Sequence, residues 1–298
     1  MKLQHFLSAV VVVAVNLSCS SSGPKIATSA EWTAKRTMRA ESTANGLREQ
    51  IASECKGLHN HMWAGKYYEG DGLCVNVSFD FAPKSGFVFE WHGCVGLYDR
   101  NYGSVNWTNN RLHLTFTFEN KREGFEGIAP DLIPVPWGDR QYLVPADDVI
   151  GFCNRVNEGS EPRGNMHGFY LLRIGDEKKQ VSGMPNVPKE FQTYLVSNPI
   201  LAEIISVGPY RTRPSVADWK FKDTTVVLNA GASKGLQTGM ELHVVEPTKK
   251  VESVRITKVE ENQSEAIMTQ MGEDEPGPKV GWRFSSSAPW SAFLRTSK

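Results

Sequence analysis

His59 and His61 flank a single Asn, and His92 and His113 stand further along the chain. Alternate positions of an extended segment share a face, so His59 and His61 could present two imidazoles together. With His92 or His113 they would form a three-His zinc site, and Glu90 would act as base toward a metal-bound water. The rival reading leaves these histidines in turns or at solvent. His113 alternates with Leu112 and Leu114, which points it away from the core side of its strand. Trp91 to Gly103 is the densest polar and aromatic cluster. His92 and Cys94 share a face there, but that spacing does not supply the hydrogen bond of a Cys–His nucleophile pair. Asp99-Arg100 and Asp139-Arg140 read as local pairs or backbone caps. The His-Glu-x-x-His signature is absent from the sequence. The favoured reading is therefore a non-enzymatic chain with no cofactor, and a zinc-dependent enzyme using the His59/His61 region is an alternative.

The cysteines stand at 19, 55, 74, 94 and 153. Lys2 is the sole charged side chain of residues 1–24, and Phe6 to Val15 is apolar except for Ser8. That is the pattern of an export signal, too short to span a bilayer stably. Asn16-Leu17-Ser18-Cys19 follows, then Ser20-Ser21-Ser22-Gly23-Pro24. A small residue before a Cys, just past an apolar run, resembles the lipobox of bacterial lipoproteins. Asn16 and Leu17 depart from that family's usual pattern. The resemblance implies a signal peptide at 1–18, diacylation of Cys19 on sulfur and acylation of its freed amino group. Three acyl chains bury dozens of methylenes at ~0.8 kcal/mol each, a firm membrane anchor. Residues 19–24 then form a flexible tether. The expected location is the bacterial cell envelope. Ser20 in place of Asp after Cys19 is compatible with the outer membrane by analogy with enteric lipoproteins. A periplasmic or secreted protein, released by an ordinary signal peptide, is the alternative.

The remaining four cysteines suggest two disulfides in an exported chain. Leu73 to Phe81 alternates apolar and other residues, and Phe87, Phe89 and Trp91 repeat at the same period after the turn residues 82–86. Placing Phe81 opposite Phe87 sets Phe79 against Phe89, Val77 against Trp91 and Cys74 against Cys94. The large apolar groups then share one face and both cysteines the other. That favours Cys74–Cys94, leaving Cys55 with Cys153. A bulge near Gly93 would shift the register, and Cys94–Cys153 is the main competitor. The cysteine spacings lack the close pair of a zinc ribbon.

Ala40, Ala44, Leu47, Ile51 and Cys55 form one stripe, which predicts an amphipathic helix over 25–55 that packs on the next domain. Residues 56–196 read as a β-rich barrel or meander with disulfides. Short helices are expected at Asp147–Val156 and Pro188–Leu195, and the prolines of 120–138 predict a long irregular loop or an edge. The opening Trp63 to Gly70 resembles the lipocalins. The aromatic stripe Phe79, Phe81, Phe87, Phe89 and Trp91 could line a cavity for a small apolar ligand, although such a stripe is more often simply core.

Beyond Asn198-Pro199 a second β set fills 197–287, and 288–298 is a tail. Asn229 to Met240 carries glycines at 231, 235 and 239. They are expected to take positive φ in a tight connection, with Leu236 plugging a barrel end. Residues 222–285 resemble the C-terminal domain of flagellar assembly protein T and the β domain of rod-shape-determining protein C. That resemblance implies a small SH3-like β-barrel used for protein contacts. The fold class expected is thus mainly β: an N-terminal helix, a β-barrel or meander domain, then a small SH3-like barrel.

Across 298 residues, 33 basic side chains balance 33 acidic ones, and 40% of residues are hydrophobic. That supplies a real core and argues against a dedicated nucleic-acid binder. The expected partners are the membrane, through the lipid, and other envelope proteins, through the C-terminal barrel. An apolar-ligand carrier is the other alternative.

Overall fold

The computed structural model describes residues 27–58, 61–70, 76–93, 96–121, 127–159, 170–214, 220–248, 252–272 and 276–287. Helix α1 spans Ala27–Cys55. Two closed β-barrels follow it in the chain. No helix among the described residues is long and apolar enough to cross a membrane.

The first barrel takes eight strands in simple sequential order: β1 Gly65–Gly70, β2 Asn76–Ala82, β3 Gly86–Gly93, β4 Gly96–Thr108, β5 Arg111–Phe116, β6 Asp131–Trp137, β7 Arg140–Pro145 and β8 Leu171–Arg173. Pairing of Tyr67 with Arg173 and of Tyr68 with Leu172 closes the ring. The β2–β3 register is the one that the alternation predicts, with Phe81 against Phe87, Phe79 against Phe89 and Val77 against Trp91. Extending across the neighbouring strands, Gly65, Phe81, Phe87, Gly103 and Phe116 form one inward row. Gly103 is required there by close approach: a Cβ would lie 1.8 Å from the Thr115 carbonyl oxygen. Tyr67, Phe79, Phe89 and Asn101 form the next row.

The α1 stripe packs where the spacing placed it. Ala44 and Ile51 are buried against Ala82 and Val88 on the outer face of β2 and β3, with Leu47, Cys55 and Tyr102 around them. Burying an Ile side chain contributes about 1.5–3 kcal/mol. Polar contacts fix the helix axially. Arg48 reaches Asp80 at 3.4 Å and Glu90 at 2.8 Å. The Glu54 carboxylate accepts the backbone N–H groups of Lys84 (2.9 Å) and Ser85 (2.8 Å) in the β2–β3 turn.

Of the loop or edge expected at 120–138, the described part includes strand β6, which is largely an edge toward β5. It pairs with β7 along its full length but with β5 only at Leu132 and Asp131. Pro134 and Pro136 fall in the stretch that lacks β5, where a missing N–H costs no ladder bond. Helix α2, Val149–Glu158, covers the outside of β6, β7 and β8 through Val149, Phe152, Cys153 and Val156. Its start lies two residues later than the acidic pair suggested, with Asp148 as the N-cap residue. The second expected helix is a 3-10 turn, Lys189–Tyr194.

The second barrel comprises β9 Leu201–Pro214, β10 Lys220–Leu228, β11 Glu241–Glu246, β12 Ser253–Val259, β13 Ser264–Met271 and β14 Arg283–Ser285, closed in the order β10-β13-β12-β11-β14-β9. Val226, Leu228, Leu242, Val254, Ile256, Met268 and Phe284 fill it. In the glycine-rich connection Gly235 (φ +85°) and Gly239 (φ +92°) do take left-handed conformations, and Leu236 is 1% exposed in the core. Gly231 differs from the expectation. Its φ is −143°, and it is needed because a Cβ would meet the Glu260 carbonyl at 2.2 Å.

Helix α2 docks the two barrels. The Asn154 side chain donates to the Gly239 carbonyl (3.0 Å) and accepts the Glu241 N–H (3.1 Å), so one amide side chain pairs with both backbone groups entering β11. Asn157 likewise donates to the Tyr194 carbonyl (2.7 Å) and accepts the Val196 N–H (3.0 Å) on the connecting segment.

Candidate functional site

His61 sits in the turn before β1. Its Nδ1 accepts the backbone N–H groups of Trp63 (3.3 Å) and Ala64 (3.0 Å), so that nitrogen is engaged and the ring is neutral. Burial, then the Arg173 charge, hold its pKa below the ordinary value of 6.5. Arg173 closes this barrel end by donating to the His61 carbonyl (2.7 Å) and the Tyr67 hydroxyl (3.1 Å). His92 lies at the opposite end of β3, where it pairs with Asn76, and its side chain is exposed. Five residues of strand separate it from the Phe87 level, roughly 16 Å at the usual rise. The zinc site proposed from His61 and His92 is therefore not assembled, and His59 lies outside the described residues. His113 contacts Asp131 across β5 and β6. Among the described residues no three His, Cys, Asp or Glu side chains converge as metal ligands.

Glu90 is no base. It stands outside the barrel between Arg48 (2.8 Å) and Arg100 (2.6 Å). Burial alone would raise its pKa, but the two guanidinium groups outweigh it and hold the carboxyl below 4.5. Asp99 caps locally as expected, accepting the Arg100 N–H at 2.9 Å.

Cys55 and Cys153 are free thiols, which overturns both the Cys55–Cys153 and the Cys94–Cys153 pairings. Cys55 ends α1 and points at the Phe81 carbonyl (3.5 Å), whereas Cys153 lies on the buried face of α2. Their packing explains the correction, since each is held as a small apolar group in a separate cluster. Burial pushes the Cys153 thiol up to about 12 and raises that of Cys55. Neither is poised as a nucleophile. Cys19, Cys74 and Cys94 lie outside the described residues.

The aromatic stripe faces itself. Phe79 stacks on Phe81 at 4.9 Å and meets Phe89 at 4.9 Å and Phe87 at 6.1 Å. Phe79 and Phe89 are each 1% exposed, whereas Trp91 is half-buried against Tyr98. These rings fill the barrel in the manner of a core. A shallow groove of about 470 Å³ opens elsewhere, between α1 and the wall, and is lined by Leu47, Lys84, Tyr102, Thr115 and Phe116.

The feature that sequence reasoning missed is the length of β9. At 14 residues it is more than four times the length of β14, its 3-residue neighbour. Leu201 to Glu203 pair with β14, and Ile204 bonds to the backbone of Trp282 and Gly281. Beyond that, β9 keeps β10 on one side and, among the described residues, no strand on the other. Every side chain from Ile205 to Pro214 is exposed. Ile205 (46%), Val207 (38%) and Tyr210 (64%) are apolar groups left at solvent. Arg211 and Arg213 follow, 3.9 and 2.9 Å from Asp223 on β10. Burial would raise the Asp223 pKa, but Thr269 and these guanidinium groups lower it. Arg213 also lies over Phe221 at 4.4 Å, and the Lys222 ammonium over Tyr210 at 5.1 Å. The ribbon is thus an extension of the barrel wall whose backbone edge is open among the described residues. Gly208-Pro209 in mid-strand reads locally as a strand end, which hides the continuation to Pro214.

Comparison with known protein families, with curated proteins and with solved structures gave no match.

Proposed function

We propose that the protein is an exported, lipid-anchored component of the bacterial envelope, without enzymatic activity, that contacts other proteins through an SH3-like second barrel. The β9–β10 ribbon carries this reading: an exposed strand edge with apolar side chains is a surface suited to a protein partner. The lipobox-like Cys19 and the tether at 19–24 supply the anchor, and Ser20 favours the outer membrane. Replacing Cys19 by Ala and partitioning the host membranes into detergent tests the anchor. The wild-type protein should enter the detergent phase and the variant should leave it; equal partition removes the anchor.

The eight-stranded sequential barrel favours a second reading, because that topology can hold a small apolar ligand. The mutual packing of Phe79, Phe81, Phe87 and Phe89 weighs against it. Native mass spectrometry that finds a retained small molecule would revive the carrier reading.

A further inference from the structure

We propose that the edge of β9 from Ile205 to Pro214, which no strand covers among the described residues, accepts an extended segment of a partner protein as an added strand, and that this segment is acidic along one half and apolar along the other. The inference rests on the second barrel being a protein-contact module. The edge presents backbone donors and acceptors in strand geometry, and an added strand would satisfy them directly. Its side chains divide along its length. Ile205, Val207 and Tyr210 occupy one part, Arg211 and Arg213 the other. A strand added here lies about 4.8 Å from β9, within reach of the Arg211 guanidinium, whose side chain is 76% exposed. Asp223 on β10 answers part of this charge, at 3.9 Å from Arg211 and 2.9 Å from Arg213, and two guanidinium groups against one carboxylate leave this end of β9 with a cationic excess.

A second copy of this chain fits the edge poorly. Antiparallel self-pairing about Thr212 would set Arg211 against Arg213, and pairing about Tyr210 would set Arg213 against Val207. Glu203, the one acid of β9, lies in the stretch that already pairs with β14. An anionic membrane would satisfy the cations but not the backbone, so it leaves the edge unexplained. Pro209, beside the β9–β10 irregularity at Thr224, interrupts the edge and discourages indefinite sheet growth.

The test uses full-length protein in a neutral sugar detergent and a fluorescein-labelled, end-capped octapeptide. Thr occupies alternate positions of the peptide, with two Glu and then two Val in the others; a second peptide reverses that order. Anisotropy should show saturable binding of one order. Replacing Glu by Lys in the peptide, or N-methylating its alternate backbone nitrogens, should weaken binding at least tenfold. Arg211→Glu should do the same, and Arg211→Gln should fall between, with near-ultraviolet circular dichroism unchanged in both. Equal binding of the Glu and Lys peptides, or indifference to N-methylation, overturns the proposal. So does a dimer by sedimentation that Arg211→Glu dissolves. Recruitment of the Cys19→Ser variant to phosphatidylglycerol vesicles, with no peptide binding, reassigns the cations to lipid and also overturns it. Detergent partition of the wild-type chain is independent of all these outcomes, so loss of the acidic-strand inference leaves the anchored-envelope reading to be judged separately.

Discussion

Replacing Phe79 by Ala removes a ring that is 1% exposed and lies 4.9 Å from both Phe81 and Phe89. If the first barrel is a filled core, the variant loses the transfer free energy of the ring and is left with a cavity that the closed wall cannot collapse. Phe→Ala changes of this kind cost about 3–5 kcal/mol. Part of that loss is the aromatic pairing itself, about 0.5–1.5 kcal/mol for each good contact. The expected fall in Tm is roughly 6–20 °C for a folded region of this size. Urea unfolding followed by the near-ultraviolet dichroism of the aromatic stack measures it, with thermal melts as a second probe. A loss under about 1 kcal/mol would mean that one face of the ring already looks onto open space, and the filled-barrel argument would fail. The same result would favour the apolar-ligand carrier, so this one variant separates the two readings of the barrel.

Three further outcomes follow from local geometry. Gly46 lies inside α1 with nothing within 4 Å of a would-be Cβ, so Gly46→Ala should raise unfolding stability by about 0.5–1 kcal/mol; a decrease would mean that the helix is not packed as described. Glu90 has a folded pKa below 4.5, so its contribution is fully present above that value and is lost as pH falls through the lowered folded pKa. Wild-type stability should therefore drop more steeply below about pH 4.5 than that of Glu90→Gln, and parallel acid profiles would remove the Arg48–Glu90–Arg100 cluster as the cause. Cys153 should resist a thiol reagent in the native state, and unfolding should expose Cys55 and Cys153 if Cys74 and Cys94 are bridged as the sequence alternation suggests. Two further reactive thiols from Cys74 and Cys94 would refute that bridge.

The parts of this fold legible in the sequence are those in which a local period meets a buried face. Strict alternation from Val77 to Trp91, with turn residues between, fixed which aromatics share the barrel interior, because a one-residue slip would turn every ring outward. The Ala44, Leu47 and Ile51 stripe placed the buried side of α1 for the same reason. What failed was reasoning from residue type without spatial context. Four cysteines suggested two disulfides, with Cys55 and Cys153 left as the second pair, but these two occupy separate clusters. Prolines at 134 and 136 suggested a loop or an edge without deciding between them, and the structure gives a strand whose β5 neighbour has ended. The candidate site was the least legible part. The edge of β9 is defined by where β14 stops, and no local pattern in β9 carries that information.

The contact surface itself is best tested in the native host, with a photo-crosslinking amino acid placed at Tyr210 and, as a control on the other barrel, at Lys84. Illumination should give a discrete adduct from position 210 that Arg211→Glu weakens, and no adduct from position 84. Absence of any adduct at 210, or an equal spread of adducts from both positions, would contradict the assignment of the β9 ribbon as the working surface of this protein.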